Sequence, residues 1–203
     1  MKNMPVKISL LALGMAFSLT TYSQSEHAGH STMKSSDAMM HSMQAGMDQM
    51  MNMKMTGDPD HDFASMMKMH HQSAVEMSNL EIKQGKSQAV KDKAAKIKAA
   101  NQKEITELTQ FLNTHKPTAS ASKFGQSAMQ MMHNGKKHSM TSNIDKDYAL
   151  MMIQHHQQGI DMARAFLKEG KTDKMKALAN KIIKDQTKDI EDLKSLQNRV
   201  AAR

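Results

Sequence analysis

The sequence predicts an all-α protein, in which residues 38–203 form one domain, an antiparallel four-helix bundle of two duplicated helical hairpins with extra short Met-rich helical segments. The first observation behind this prediction is an internal duplication at a constant offset of 85 residues. The repeated pairs are Asp62/Asp147, Ala64/Ala149, Gln72/Gln157, Met77/Met162, Gly85/Gly170, Lys86/Lys171, Ala94/Ala179, Ile97/Ile182, Ile105/Ile190 and Leu108/Leu193. The second is that apolar residues in both halves follow the three-and-four spacing of a buried helical stripe, without a competing strand pattern.

The N-terminus has the features of a secretory signal peptide. Lys2 and Lys7 supply positive charge, and the apolar stretch 8–19 is too short to cross a bilayer as a mature helix. We therefore expect residues 1–24 to be removed, and the mature protein to be periplasmic or secreted without stable membrane insertion. Residues 25–37 are rich in Ser, Gly and His, which predicts a disordered leader.

A Met-rich segment, 38–57, precedes the first predicted hairpin, 58–116. Asp58 followed by proline supplies the start signals of a helix, and Gly85 ends that helix. Ser87 is the predicted N-cap of the second helix, whose apolar stripe continues until shortly before the next proline.

The second hairpin, 144–203, repeats this plan after a linker, 117–143, that carries a short segment of methionine and histidine. Ser142 or Asn143 caps its first helix, and Gly170 separates that helix from the last one. Because each hairpin is apolar along one stripe, the two can bury those stripes only against each other, and a bundle is expected.

Composition excludes several classes of function. The chain has no Cys, so disulfides are impossible and any soft metal ligand must be methionine. Its net charge of +8 is spread through Lys-rich helices, as expected for solvated helix faces. With no Trp, two Tyr and five Phe, the chain lacks the stacking aromatics of a nucleic-acid surface, and no nucleic-acid partner is expected.

The motif Met-Met-x-x-His-His occurs once in each half and is the main candidate for chemistry. Its members are Met66, Met67, His70 and His71 in the first copy, and Met151, Met152, His155 and His156 in the second. Helical spacing puts His70 on the inward stripe with Met66 and Met77, while His71 flanks it; Met162 repeats Met77. Thioether and imidazole without Cys or a carboxylate cluster favour copper over zinc, iron or calcium: Cu(I) through Met and His, and Cu(II) through His.

Packing is the alternative role for each of these side chains. Met fills irregular gaps in cores, and an inward histidine is ordinarily a satisfied core residue. However, the chain has 24 Met against 12 Leu, an excess that packing needs do not explain. The duplication of an adjacent histidine pair, with methionine four residues earlier in both copies, favours the ligand interpretation.

A second candidate lies in the Met-rich segment and consists of Met39, Met40, His41 and Met43. The segment is dense enough in thioethers to collect several Cu(I) ions without a preformed cavity. It also predicts an amphipathic helix, because Met40, Met43 and later methionines share one face. The two interpretations are compatible.

Buried polar residues on the second helix of each hairpin are candidates for orienting the histidines. These residues are Asn101 and Glu104 in the first half and Gln186 and Asp189 in the second. A buried amide or carboxylate needs a partner, so we expect them to hold the imidazoles of His70 and His155. A polar core residue that sets helix register is the alternative.

The second copy of the motif resembles the hallmark of the domain of unknown function 305 family, D-F-A-x-x-M-I-x-H-H-x-x-A-I-x-M-A. The match covers residues 147–163 and, less closely, 62–78, and the downstream Gln-x-x-Glu-Ile pattern is answered at 186–190 and 101–105. The first copy departs from the pattern at Met69, Val75 and Asn101. The resemblance covers about residues 38–200.

This resemblance implies a ferritin-like helical bundle in the periplasm and similarity to exported copper-binding proteins of the CopM type. It carries ligand candidacy to Met151, Met152, His155, His156 and Met162 and, through the internal repeat, to Met66, Met67, His70, His71 and Met77.

The leading functional expectation is a non-enzymatic copper-binding protein that buffers, sequesters or transfers copper in copper tolerance. One alternative is a ferritin-like metal-dependent oxidase, although its di-iron site would need Glu-x-x-His motifs that the chain lacks. The other is a structural or adaptor bundle that binds a partner such as a copper exporter or another envelope copper protein.

Overall fold

The computed structural model describes residues 35–118, 122–133, 140–141 and 143–201. Within these ranges the chain forms six helices and no strand, so the prediction of an all-α fold is confirmed. The helices are α1 (Ser35–Met51), α2 (Pro59–Gln84), α3 (Gln88–Thr114), α4 (Phe124–His133), α5 (Ile144–Leu167) and α6 (Asp173–Ala201). The predicted signal peptide, 1–24, and the predicted leader up to residue 34 lie outside the described residues.

The four long helices pair as the two expected hairpins within one compact unit, 33–203. Helix α2 packs along α3, α5 packs along α6, and the hairpins meet mainly through α2 and α5. The short helices α1 and α4 each lie across α2 and α5. None of the described helices has both the length and the apolar character that crossing a bilayer requires.

Helices α2 and α5 run antiparallel, as the order of their facing side chains shows. The facing pairs are Phe63 with Phe166 (ring centroids 4.1 Å apart), His70 with His155 (3.6 Å) and Ser78 with Tyr148 (hydroxyl oxygens 3.0 Å apart). The histidine pair therefore lies between an aromatic layer and a hydroxyl layer, at the centre of the bundle.

Local caps start α2 and α5 where the sequence predicts. Asp58 Oδ1 accepts hydrogen bonds from the backbone N–H groups of Asp60 and His61, both at 3.0 Å. Asn143, one of the two alternatives for α5, accepts from the N–H of Lys146 at 3.1 Å. These bonds satisfy N–H groups that have no partner within the helix.

The start of α3 is capped from a distance. Ser87 occupies the predicted N-cap position, but its side chain makes no capping hydrogen bond. Instead, the buried carboxylate of Asp145 on α5 accepts from the backbone N–H groups of Lys86 at 3.0 Å and Ser87 at 2.8 Å. The second hairpin therefore supplies the anion at the N-terminus of a helix in the first.

The same arrangement recurs in the opposite direction at the start of α6. Asp60 on α2 accepts from the N–H groups of Lys171 at 2.8 Å and Thr172 at 2.9 Å, and from the Thr172 hydroxyl at 2.6 Å. Asp60 and Asp145 are themselves one repeat apart. Each hairpin thus caps the second helix of the other, which makes the pseudo-twofold assembly reciprocal.

Helix α1 begins at Ser35, earlier than the predicted boundary at residue 38. The reason is a tertiary contact: the hydroxyl of buried Ser36 donates to Asp147 Oδ2 at 2.6 Å. The other carboxylate oxygen of Asp147 accepts from the N–H of Thr141 at 2.8 Å. This extra partner on α5 holds the first turn of α1 against the bundle.

The two ends of the bundle have diverged in chemistry. Offset by one repeat, the aromatic positions Phe63, Phe124 and Phe166 correspond to Tyr148, Met39 and Glu81. All six side chains are buried, but one end is a cluster of three rings and the other contains a phenol, a thioether and a carboxyl group. Burial, with Asp145 alongside, raises the pKa of Glu81 to about 8.

The reciprocal caps predict a stability effect. Asp60→Ala leaves the N–H groups of Lys171 and Thr172 without their acceptor, so the free energy of unfolding should fall by about 1–3 kcal/mol. Asp145→Ala should behave alike, whereas exposed Asp37→Ala should change stability by less than about 0.5 kcal/mol. Urea unfolding measures all three variants, and equal stability of the Asp60 and Asp37 variants would contradict the capping role.

Glu81 predicts a pH effect of defined sign. Its pKa in the folded protein, about 8, lies above the 4.5 of an unperturbed glutamate. The group therefore contributes stability below the unperturbed value and loses it as pH rises towards 8, at up to about 1.4 kcal/mol per pH unit. Glu81→Gln should remove this slope from urea unfolding at pH 5 to 8, and exposed Glu191→Gln should keep it. An unchanged slope in the Glu81 variant would exclude the linkage.

Candidate metal centre

The duplicated motif is buried at the crossing of α2 and α5. None of its eight side chains is more than 2% exposed. The rings of His70 and His155 stack with centroids 3.6 Å apart and planes inclined by 27°. Both histidines lie on the inward stripe, as helical spacing predicts, and the pseudo-twofold relation brings them together.

His71 and His156 face the neighbouring helices. His71 Nε2 lies 2.8 Å from Glu104 Oε2 on α3, and His156 Nε2 lies 3.4 Å from Asp189 Oδ2 on α6. These pairs are related by one repeat. Each histidine that flanks the stack is therefore held by a carboxylate from the second helix of its own hairpin.

The carboxylates also bind lysines across the α3–α6 seam. Lys181 Nζ lies 2.7 Å from Glu104 Oε1, and Lys93 Nζ lies 2.6 Å from Asp189 Oδ1. Burial on its own would raise the pKa of Glu104, but the bonds from His71 and Lys181 lower it. Asp189 shows the same balance with its two partners, so both carboxylates stay ionised beside the imidazoles.

The predicted orienting role is correct in kind but wrong in its target. The carboxylates hold His71 and His156, and not His70 and His155, because the side chains of α3 and α6 meet the flanks of α2 and α5. Asn101 donates to the carbonyl of Ile97 on its own helix at 2.8 Å.

Gln186 lies beside the stack, and its Oε1 accepts no hydrogen bond from the described residues. A Cβ atom at Gly159 would lie 2.5 Å from that oxygen and 3.0 Å from Cε1 of His70, so glycine is needed for the amide to approach the ring. The side-chain amide of Gln186 therefore lies beside the ring of His70, which Asn101 and Gln186 were expected to orient.

The partners decide which nitrogen carries the proton. His155 Nε2 lies 3.0 Å from the carbonyl oxygen of His70 and 2.9 Å from Ser73 Oγ, while His71 and His156 turn Nε2 to carboxylates. Because a carbonyl oxygen only accepts, Nε2 is the protonated atom in His155, and the nearby carboxylates favour the same tautomer in His71 and His156. Their Nδ1 atoms keep free lone pairs, the state in which imidazole binds metal.

The free nitrogens have no protein partner among the described residues. This holds for Nδ1 of His70, His71, His155 and His156 and for Nε2 of His70, whereas Nε2 of His71 and of His156 lies close to a carboxylate but without hydrogen-bond geometry. A buried polar atom without a hydrogen bond costs about 1–3 kcal/mol. Several such atoms at one place indicate a ligand or ordered water that completes them.

Burial keeps three of these imidazoles neutral. It lowers the pKa of His70 and His155 well below the usual value, and the neighbouring histidines lower both further. Burial also lowers the pKa of His156, although Asp189 opposes the shift. The rings are therefore ready to bind a cation without first losing a proton.

Methionine sulfurs are gathered on both sides of the histidine stack. Thioether cluster 1 comprises Met50, Met66, Met67, Met162 and Met175, and thioether cluster 2 comprises Met39, Met77, Met151 and Met152. Each cluster combines the Met-Met pair of one repeat with the later methionine of the other, because α2 and α5 are antiparallel. All ten predicted residues of the two motifs are buried, with the methionines divided between the two clusters.

The Met-rich segment is divided between core and surface. Met39 is buried in thioether cluster 2, whereas Met40 is 39% exposed and His41 is exposed. Met43 is half-buried and packs against the same cluster. Of the four candidate residues, only Met39 and Met43 lie at thioether cluster 2, while Met50, later in the same helix, belongs to thioether cluster 1.

The donor set is soft. Among the described residues, no three His, Cys, Asp or Glu side chains are grouped so that they could hold one ion. The donors at the centre are imidazole nitrogens and thioether sulfurs, a combination that suits Cu(I).

Sequence reasoning missed Ser73, Asp60 and Asp145. The two aspartates are one repeat apart, so the duplication could have revealed them as a pair. Ser73 has no such signal, since the equivalent residue is Gln158, and only the packed structure places its hydroxyl against the histidines.

Comparison with known proteins places the chain in a family. The family model described as "Domain of unknown function (DUF305)" matches residues 60–197. The crystal structure of a DUF305 fragment from Deinococcus radiodurans is similar over 70% of this chain and 96% of that one, with a TM-score of 0.55 and 16% identity, which supports the fold alone. No curated protein matches the chain. Because the family model spans more than half of its length, the protein belongs to the DUF305 family.

Proposed function

We propose that this protein is a non-enzymatic copper-binding protein of the cell envelope that buffers, sequesters or transfers copper in copper tolerance. The observation that carries the proposal is the set of four buried imidazoles with unpartnered Nδ1 atoms, flanked by two thioether clusters. A packing role alone accounts for neither the unpaired nitrogens nor the duplication of the set.

The donor types favour Cu(I) as the main cargo. Thioethers prefer soft monovalent ions, and imidazole serves both oxidation states of copper. Cu(II) would bind through histidine alone. Glu104 and Asp189 would act on the metal through His71 and His156, because a carboxylate on Nε2–H makes the other nitrogen a better donor.

Delivery outside the cytoplasm is part of the same proposal. It rests on the positively charged start and the apolar stretch 8–19 of the sequence. An oxidising compartment suits a site without Cys, because thioethers do not form disulfides. The exposed methionine Met40 and exposed His41 on α1 would meet copper, a copper exporter or another envelope copper protein at the surface.

We also propose that the protein is related to exported proteins of the CopM type and to ferritin-like bundles. The antiparallel bundle with paired histidines at its centre supports it.

The alternatives are less well supported by the described residues. A ferritin-like di-iron oxidase would need several carboxylates around one pair of ions. Here, Glu104 and Asp189 each lie beside a different histidine and are engaged by lysines. An adaptor bundle could use the exposed face of α1, but that role would leave the buried nitrogens unexplained.

The proposal predicts the outcome of an anaerobic Cu(I) titration against a competing chelator. Changing His70, His71, His155 and His156 together to Ala should abolish the tight sites. Changing the four motif methionines to Leu, which conserves volume, should lower Cu(I) affinity by roughly ten- to a hundredfold while the bundle stays folded.

Met129→Leu is the matched control, because Met129 is a half-buried methionine outside the duplicated motif. It should bind Cu(I) as the unaltered protein does. Equal stoichiometry and affinity in the histidine and motif-methionine variants would reject the proposed centre.

The pH dependence of binding follows from the lowered pKa values of His70, His155 and His156. Because these imidazoles stay neutral through the range where a free histidine protonates, near pH 6.5, Cu(I) affinity should be constant from about pH 8 to 6 and fall only in stronger acid. Titrations at intervals of one pH unit test this. A steady loss of affinity beginning above pH 6 would instead indicate solvent-exposed histidine ligands.

A further inference from the structure

A groove of about 710 Å³ runs along one side of the bundle between α1, α2 and α3. Half of its twelve lining residues carry an amide or a hydroxyl group, Glu76 is the charged residue, and the other five are apolar or glycine. The lining includes Ser42, Gln49, Gln72, Gln102 and Thr106. The groove is therefore open to water and polar, unlike the buried centre beneath it.

The groove reaches the histidine stack through Ser73. Ser73 lines the groove, yet its side chain is almost fully buried. Its hydroxyl donates to the carbonyl of His70 at 2.8 Å and lies 2.9 Å from Nε2 of His155. One small side chain thus links the groove to the ring of His155 and to the backbone of His70.

The groove reaches thioether cluster 1 through Met69. This half-buried methionine lines the groove and packs against the cluster that contains Met66, Met67 and Met162. Its sulfur belongs to the same class of donor as those inside. Soft ligands therefore continue from the groove wall into the buried region.

The second repeat does not share these features. Met69 and Ser73 correspond to Gln154 and Gln158, which offer no thioether and no small side chain at these places. The packing of α1 against Ser73 also depends on a small residue, because a Cβ atom at Gly46 of α1 would lie 2.8 Å from Cβ of Ser73. The first repeat has thus acquired an approach to the centre that its duplicate lacks.

We propose that this groove is the port through which Cu(I), carried by a small chelating ligand or a donor side chain, enters and leaves the buried centre, with Met69 as the entry ligand. The inference rests on the proposed copper function and adds the route by which copper reaches the buried centre.

The transfer is a ligand exchange. The thioether of Met69 donates a lone pair to form a new Cu–S bond, the bond to the carrier breaks, and the carrier leaves with its own electron pair. The inner thioethers then displace Met69 in the same way. Copper remains Cu(I), and no proton moves because a thioether has none to lose.

A port and a binding ligand have different kinetic signatures. Obstructing a port raises the barrier between two unchanged end states, so uptake and release slow by the same factor and affinity is constant. Losing a ligand destabilises the bound state, so release becomes faster and affinity falls.

The test uses Met69→Leu and Gln72→Trp in the full mature protein. Leu removes the entry sulfur at similar volume, and Trp fills the groove from the exposed position Gln72. Cu(I) held by a coloured chelator is mixed with the protein without oxygen, and the colour change gives the rate of uptake. Excess chelator then gives the rate of release. Both variants should slow both rates by about tenfold or more, at unchanged stoichiometry.

Matched controls are available in the chain itself. Met129→Leu removes a half-buried thioether that packs against the same cluster from α4 but does not line the groove. Gln157→Trp places the same bulk at the exposed equivalent of Gln72 in the second repeat. Both controls should load at the rate of the unaltered protein, and circular dichroism checks that all four variants are folded.

The outcomes separate the port from the copper function. If the unaltered protein binds Cu(I) but the groove variants load as fast as their controls, the port is wrong and the copper function stands. If the groove variants lose affinity or stoichiometry, the groove is part of the binding site and the port is again wrong. If the unaltered protein takes up no Cu(I), the proposed function fails and the port fails with it.

Discussion

The stacking of His70 on His155 holds the two hairpins in register, because it occupies the point where α2 crosses α5. Four imidazoles buried at one crossing impose a constraint that hydrocarbon would not, because a buried N–H costs stability unless it finds an acceptor. The carbonyl of His70 and the carboxylates of Glu104 and Asp189 supply acceptors for three of the rings. The imidazole nitrogens that remain unpaired have lone pairs with which the core can bind a cation.

Reciprocity maintains this crossing. Asp60 and Asp145 each leave their own hairpin to cap a helix of the other, so neither hairpin has its helix ends satisfied when alone. These hydrogen bonds between the hairpins hold the ends of the bundle together. It also explains why a duplicated sequence forms one domain, since the repeats share their caps as well as their apolar stripes.

Divergence between the repeats is as informative as their similarity. The aromatic cluster around Phe63 closes one end of the bundle, whereas the equivalent end contains Glu81 and Tyr148 in a polar setting. Ser73 and Met69 likewise distinguish the side of the bundle that faces the groove. The residues that the two repeats share include the candidate ligands. The residues that differ between the repeats include the titratable Glu81 and the groove residues Ser73 and Met69.

The helices, their caps at Asp58 and Asn143, and the inward position of His70 were predictable from sequence, because helical period and capping depend on residues within one or two turns. The partners of buried polar groups were not: Asp145 caps α3 in place of Ser87, and Glu104 holds His71 where His70 was expected. Those pairings depend on how far each helix is rotated about its axis when it packs. By itself, the sequence determined the elements, the duplication and the soft donor types, while only the tertiary structure decided which of those groups meet, since contacts between distant residues arise from packing geometry that no local pattern encodes.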